Sequence, residues 1–316
     1  MIVDYIMALN AYLTEEPEIL SAELTLGIEH RQFFKKSVLK FVTKTFELPY
    51  TGDVYNLDGL LFEDVSPNFK FKSISLEIGP IKVFTLDKDM CKLFYQNKHK
   101  KFEQEFFTNG ERVLLYNLPW DELKMTDVIK LVSLHYHKPK FILDCDGYCT
   151  NPMLLGHYTY YDDTMRGKIR QSIHEKIIHQ IFSTSFTSYL YNDTINLPVS
   201  GIVNGLFFKN ININNIKTLK IILNEKDFIE LDTYTIRCFT KIVNEKLFYL
   251  PFDRNFDFNT INIAHGLNLG RIKDIKINIQ YNNITNDRHD EFEIFCRAVN
   301  PFVIKSGLCT YHFNYD

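Results

Sequence analysis

The chain has 316 residues, enough for two domains of about 150, and it is 45% apolar and 15% aromatic, with 27 Phe and 18 Tyr. Its formal charge of −3 and pI near 6.4 argue against coating nucleic acid directly, because phosphate neutralisation calls for a basic protein. Only four alanines follow residue 10 (Ala11, Ala22, Ala264, Ala298); Ala favours helices while Phe, Tyr, Ile and Thr favour strands, so the composition predicts an all-β fold.

Residues 1–24 read as an amphipathic arm, with Ile2, Ile6 and Leu9 near helical spacing and Pro17 placed where a helix cannot continue. Strand signals begin at Thr25. Residues 37–48 alternate, and Pro49 to Asp53 is turn chemistry. Residues 71–86 alternate again around a Gly79-Pro80 break. Met90, Leu93, Phe94, Phe102 and Phe106 predict a helix over 87–108, followed by a strand from Val113 to Leu118. The apolar run from Asp127 to Leu143 predicts a strand carrying His135 and His137, and His157 to Asp162 predicts another.

Thr164 to His174 reads as a helical link, after which strands resume at Ile177–Tyr191 and Thr194–Phe208. Lys217–Leu223 and Phe228–Leu231 form a strand–turn–strand around Asn224–Asp227. Ile272, Ile275, Ile277 and Ile279 then alternate in a strand that a polar link, Ile284–Glu291, joins to the last one. These two read as a closing pair. Pro301 has no N–H to donate, so Phe302–Ile304 is expected to begin at a sheet edge or bulge. Roughly eight strands lie on each side of residues 164–174, joined by short polar connections. That density suits two jelly rolls, although no obvious sequence repeat links the halves.

Several residues invite a chemical reading. His135 and His137 on one strand would share a face, as in the metal site of a jelly-roll (cupin-like) metalloenzyme. Such sites also want a nearby Glu, and none occurs between His137 and Glu175. Cys145 and Cys149 with His157 would make three zinc ligands, but structural zinc sites usually show two close-spaced pairs. Asp144, Asp146, Asp162 and Asp163 read as solvated loop acids. No nucleophile elbow, Walker loop or dinucleotide fingerprint occurs, so no enzyme activity, cofactor or metal is expected. The six cysteines read as reduced thiols, and Met1-Ile2-Val3-Asp4 lacks the basic start of a secretory leader. Asn192-Asp193-Thr194 and Asn283-Ile284-Thr285 match the glycosylation triplet but read as chance hits in an Asn-rich chain.

Several segments, in one order from Ala11 to Tyr311, resemble the major capsid protein of nucleocytoplasmic large DNA viruses, the double jelly-roll capsid family. Tyr12-Leu13-Thr14 with Pro17 resembles its N-terminal signature, with Glu15 and Glu16 in place of Gly and Asn. Gly52-Asp53 and Leu76-Glu77-Ile78-Gly79 match next, Pro80 replacing a second Gly. Leu134-His135-Tyr136-His137 is similar to its Leu-Gln-Tyr-His strand. Gly266-Leu267-Asn268, Arg271-Ile272 and the ending from Asn300 to Ser306-Gly307 are similar to its closing segment.

The resemblance implies two tandem eight-stranded antiparallel jelly-roll sandwiches with short helical insertions. The expected divisions are an N-terminal arm (1–24), a first jelly roll (25–163), a linker helix (164–174) and a second jelly roll (175–316). It further implies a structural capsid protein, forming pseudo-hexagonal homotrimers that tile an icosahedral shell of a large double-stranded DNA virus. Partners would be the chain itself, minor capsid and penton proteins, and an internal viral membrane, with no direct nucleic acid. The arm (Ile2, Ile6, Leu9) would face the membrane or minor capsid proteins, and the location would be the virion capsid, assembled in the host cytoplasm. The short links between strands also fit a transient membrane scaffold or a minor capsid protein of the same fold.

Overall fold

The computed structural model describes residues 19–21, 32–41, 44–95, 101–188, 192–197, 201–252, 266–282 and 290–311. In chain order the first part contains β1 (Ile19–Ser21), β2 (Gln32–Lys40), β3 (Thr45–Glu47), β4 (Val54–Glu63), β5 (Lys70–Ile78), β6 (Ile81–Asp87) and helix α1 (Lys88–Tyr95). It continues with β7 (Glu103–Thr108), β8 (Glu111–Asn117), β9 (Pro139–Asp146), β10 (Thr150–Tyr161) and helix α2 (Asp163–Gln171). Then come β11 (His174–Ser188), β12 (Asn192–Asn196), β13 (Ile202–Lys209), β14 (Ile216–Leu223), β15 (Lys226–Asp232) and helix α3 (Thr233–Phe239). The last elements are β16 (Lys241–Asn244), β17 (Leu247–Pro251), β18 (Leu267–Asn268), β19 (Ile275–Tyr281), β20 (Asp290–Lys305) and β21 (Leu308–Tyr311). The described residues divide into two compact units. One runs to Lys176 and takes in Phe302–Thr310, and the other spans Ile177–Pro301.

Both units are wound in one strand order. In the first, β2-β10-β4-β8 form the body of one sheet, with β1 and β7 at its edges, and β3-β9-β5-β6 form the other. In the second, β11-β20-β13-β17 are flanked by β16, and β12-β19-β14-β15 form the opposing sheet. Leaving aside the edge additions and counting the main strands one to eight, each unit has sheets ordered 1-8-3-6 and 2-7-4-5. That is the jelly-roll winding.

The two units also share an insertion between their fifth and sixth main strands. β6 ends at Asp87, whose carboxylate accepts from the Met90 N–H at 2.7 Å and so caps α1. β15 ends at Asp232, which accepts from Tyr234 N at 3.1 Å and Thr235 N at 2.7 Å and caps α3. An acceptor at this position satisfies donors that the first helical turn leaves open. After each helix an edge strand, β7 or β16, pairs with the sixth main strand. Leu86-Asp87…Phe94 and Leu231-Asp232…Phe239 therefore occupy equivalent places, a repeat that the sequence carries in only a few letters.

Each core lies between its own two sheets. In the first unit Phe62 of β4 and Tyr116 of β8 meet Phe71 of β5, with ring centroids 5.6 Å (Phe62–Tyr116) and 5.0 Å (Phe71–Tyr116) apart. Phe69 and Phe102 extend this cluster. The second core is more aliphatic, with Leu219, Ile221, Ile277 and Ile279 opposite Leu206, Phe248, Ile294 and Ala298. Burying side chains of this size is worth about 1.5–3 kcal/mol each.

Four expectations need correcting. Of the helix expected over 87–108, Lys88–Tyr95 is helical but Glu103–Thr108 is strand β7. Asn109 and Gly110 both have positive φ (53° and 84°), the pattern of a two-residue hairpin, and that turn chemistry outweighs the i, i+4 spacing of Phe102 and Phe106. The strand expected over Asp127–Leu143 is confined to Pro139 onward, because Asp127 sits at φ 58° and a single 3₁₀ turn covers Leu131–Ser133. Pro301 lies inside β20 rather than at a strand start. It falls beyond the last β13–β20 pair, Ile202↔Val299, and therefore outside the β13 ladder. Finally, β19 and β20 are not a pair: β19 joins β12 and β14 in one sheet, β20 the other. The link between them and the arm residues Ile2, Ile6 and Leu9 lie outside the described residues. No helix among the described residues is long and apolar enough to cross a membrane.

Candidate functional site

His135 and His137 sit on the loop before β9, so the shared face expected of a strand does not arise. His135 and Tyr136 are exposed. The Nδ1 of His137 accepts from the Cys309 N–H at 3.1 Å and lies 3.3 Å from its sulfur, while the Cys309 thiol donates to the Ile78 carbonyl at 3.2 Å. Burial pushes the Cys309 thiol up to about 12, so it stays protonated and is no nucleophile at neutral pH. The Tyr136 N–H donates to the Gly307 carbonyl at 3.1 Å. A Cβ on Gly79 would lie 2.5 Å from the His137 ring, and one on Gly307 2.8 Å from Tyr136. This is a clasp that fixes the β20–β21 turn to the first unit's loop.

Cys145 and Cys149 flank the β9–β10 turn, but His157 lies eight residues further along β10, about 25 Å away at strand rise. It faces Asp58 at 3.6 Å and packs edge-on against Phe34. The zinc triad is therefore not assembled. The loop acids have structural partners: Asp144 with Lys44 at 4.0 Å, Asp146 with Lys72 at 2.8 Å, and Asp162 as the N-cap of α2. Asp163 pairs with Arg166 at 3.3 Å. Among the described residues no group of three or more His, Cys, Asp or Glu is placed to hold a metal ion.

A surface depression of about 440 Å³ in the first unit is lined by Tyr50, Asp53, Leu134, His135, Arg166 and Arg170, among others. Its floor is an ion pair that sequence reasoning did not find. Asp53, with its side chain 5% exposed, accepts from Arg166 Nε at 2.8 Å and Nη2 at 3.3 Å, and from the Tyr161 N–H at 2.8 Å. The Asp53 hydrogen bond holds the Arg166 guanidinium above its usual range. Such bidentate bonding orients α2 against the β3–β4 turn. The Gly52-Asp53 turn motif singled out Asp53 but said nothing of its partner Arg166. No arrangement of nucleophile, base and oxyanion donor is assembled here.

Neither the family models nor the curated proteins compared match this chain. Solved structures do. The quasi-atomic model of the PBCV-1 virus capsid superposes with a TM-score of 0.67 at 13% identity, covering 95% of this chain and 98% of that one. PBCV-1 VP54 fitted into a reconstruction of the virophage Sputnik gives 0.65 at 12% identity, with coverages of 95% and 98%. The Faustovirus major capsid protein gives 0.63 at 7% identity, covering 96% of this chain and 97% of that one. With the 1-8-3-6 and 2-7-4-5 winding found twice, the chain has the double jelly-roll fold seen in viral major capsid proteins.

Proposed function

We propose that this chain is a structural protein of a viral capsid, acting by self-association rather than catalysis. The observation that carries the reading is the tandem repetition of one jelly-roll winding, in a fold matched by capsid proteins over nearly the whole chain. Three such chains supply six sandwiches of one strand order, the number that a hexagonal neighbourhood requires. On this reading the chain forms homotrimeric capsomers of pseudo-hexagonal outline, which tile an icosahedral shell of a large double-stranded DNA virus assembled in the host cytoplasm. Contacts within the trimer are large and apolar-cored, as in permanent assemblies; those between trimers are smaller and polar, so that misplaced capsomers can leave.

The formal charge of −3 suits a shell that does not grip the genome. Minor capsid and penton proteins, and an internal membrane met by Ile2, Ile6 and Leu9, complete the set of partners. Deleting residues 1–10 tests the arm: trimers still form, but shell assembly on membranes falls. Unchanged assembly would refute the role given to the arm.

A further inference from the structure

We propose that Cys145 and Cys149 are an oxidisable dithiol that closes into a disulfide across the β9–β10 turn, with a small disulfide of the glutathione class as oxidant. The two cysteines stand at the ends of a five-residue reversal, Cys145-Asp146-Gly147-Tyr148-Cys149. β9 and β10 belong to opposite sheets of the first unit, so the bridge would tie one sheet to the other. The two thiols lie close enough for each to influence the other's ionisation. The turn is held without a covalent bond. Gly147 takes φ +81°, with the Phe69 Cα only 2.8 Å from where a Cβ would stand. Ser66 donates its N–H to the Tyr148 carbonyl at 2.9 Å, and the Tyr148 N–H donates to Ser66 Oγ at 3.1 Å.

Access separates this pair from the other cysteines. Cys145 and Cys149 are half-buried, whereas Cys91, Cys296 and Cys309 are buried and Cys238 is exposed, alone on α3. In the reaction one thiolate attacks the external disulfide, forming a mixed disulfide and expelling one glutathione thiolate. The second cysteine then gives up its proton and attacks the protein-side sulfur, expelling the other. The protein loses two hydrogens and two electrons, and the oxidant becomes two thiols. Burial raises both cysteine thiols, Cys149 to about 11. Thiolate is therefore scarce at neutral pH, and the rate climbs roughly tenfold per pH unit on approaching that value. The inference stands independently of the capsid reading.

The test uses the full chain carrying Cys238→Ser, equilibrated at pH 8.5 in buffers of graded reduced-to-oxidised glutathione. Samples are acid-quenched and read by intact mass and by protection from iodoacetamide. The expected product has lost two hydrogens, has both cysteines protected and carries no glutathione. Cys149→Ser in the same background stops, in oxidised buffer, at a mixed disulfide on Cys145, because no second protein thiol is left to displace the glutathione. Closing the loop also raises the melting midpoint by a few degrees. Folded protein that accumulates glutathione on both cysteines, or that keeps both thiols free in fully oxidised buffer, would overturn the proposal.

Discussion

One substitution, Gly to Ala, should have opposite signs at two places in the first unit. Gly156 lies on β10 beside a bulge in its pairing with β4. A Cβ there would stand 2.4 Å from the Asn56 carbonyl oxygen and 2.6 Å from the Tyr55 hydroxyl. Neither obstacle is the free end of a surface side chain: one is backbone in the neighbouring strand, and Tyr55 is 0% exposed. Overpacking of this kind costs roughly 1–3 kcal/mol, and rigid surroundings place Gly156→Ala near the top of that range. Gly167 lies inside α2 with nothing within 4 Å of an added Cβ. There the methyl meets no resistance, and the lower chain entropy of Ala contributes about 0.5–1 kcal/mol of stability. Since 1 kcal/mol moves the melting midpoint by about 2–4 °C at this domain size, Gly156→Ala should melt roughly 6–12 °C lower. Gly167→Ala should melt roughly 1–4 °C higher. Thermal unfolding followed by circular dichroism reads both. A Gly156→Ala protein that melts with the wild type would refute the β10–β4 register.

Other outcomes follow from the same geometry. Asn224 and Glu225 form a two-residue turn with φ 49° and 67°, and the left-handed region costs a Glu about 1 kcal/mol; Glu225→Gly should raise the midpoint slightly and Glu225→Val lower it. Burial alone would raise the Glu103 carboxyl, but its bonds with Lys88 and Tyr116, each 2.8 Å, outweigh that and hold it below 4.5. A depressed carboxylate stabilises the fold above its unfolded value and loses that contribution as pH falls through its folded one. Melting curves from pH 7 down to 3 should therefore show a shallower acid limb for Glu103→Gln than for wild type, and an identical limb would remove the triad from the account. His137→Ala should leave the fold intact but free the β20–β21 turn, so that the Cys309 thiol alkylates at least tenfold faster; unchanged protection would mean the clasp contributes nothing.

Much of the fold was legible from residues whose local preference and tertiary place agree. Alternation over residues 71–86 and 272–279 marked strands because one face of each is buried, and Gly79-Pro80 and Asn224-Glu225 marked turns that exist. The reading failed where a short-range pattern competed with turn geometry. Phe102 and Phe106 keep helical spacing yet belong to a hairpin set by Asn109-Gly110, and His135-x-His137 looks like strand but lies in a loop next to Pro139. Pairing was the hardest to read, since nothing in Ile275–Tyr281 or Phe292–Ile304 says that the two strands enter different sheets. The internal repeat was hidden for a related reason. Jelly-roll winding asks only for strands of adequate length and apolar faces, so the halves kept Leu-Asp before each helix and little else. The Asp53–Arg166 pair joins residues 113 positions apart, a separation at which single-sequence patterns carry no signal.

Self-association is tested most directly by the mass and outline of the purified protein in solution. Sedimentation should give three times the 37.3 kDa chain mass, stable on dilution, and electron microscopy should show particles of pseudo-hexagonal outline that form sheets or shells as concentration rises. A monomer at every concentration, without hexagonal particles, would contradict the capsid reading.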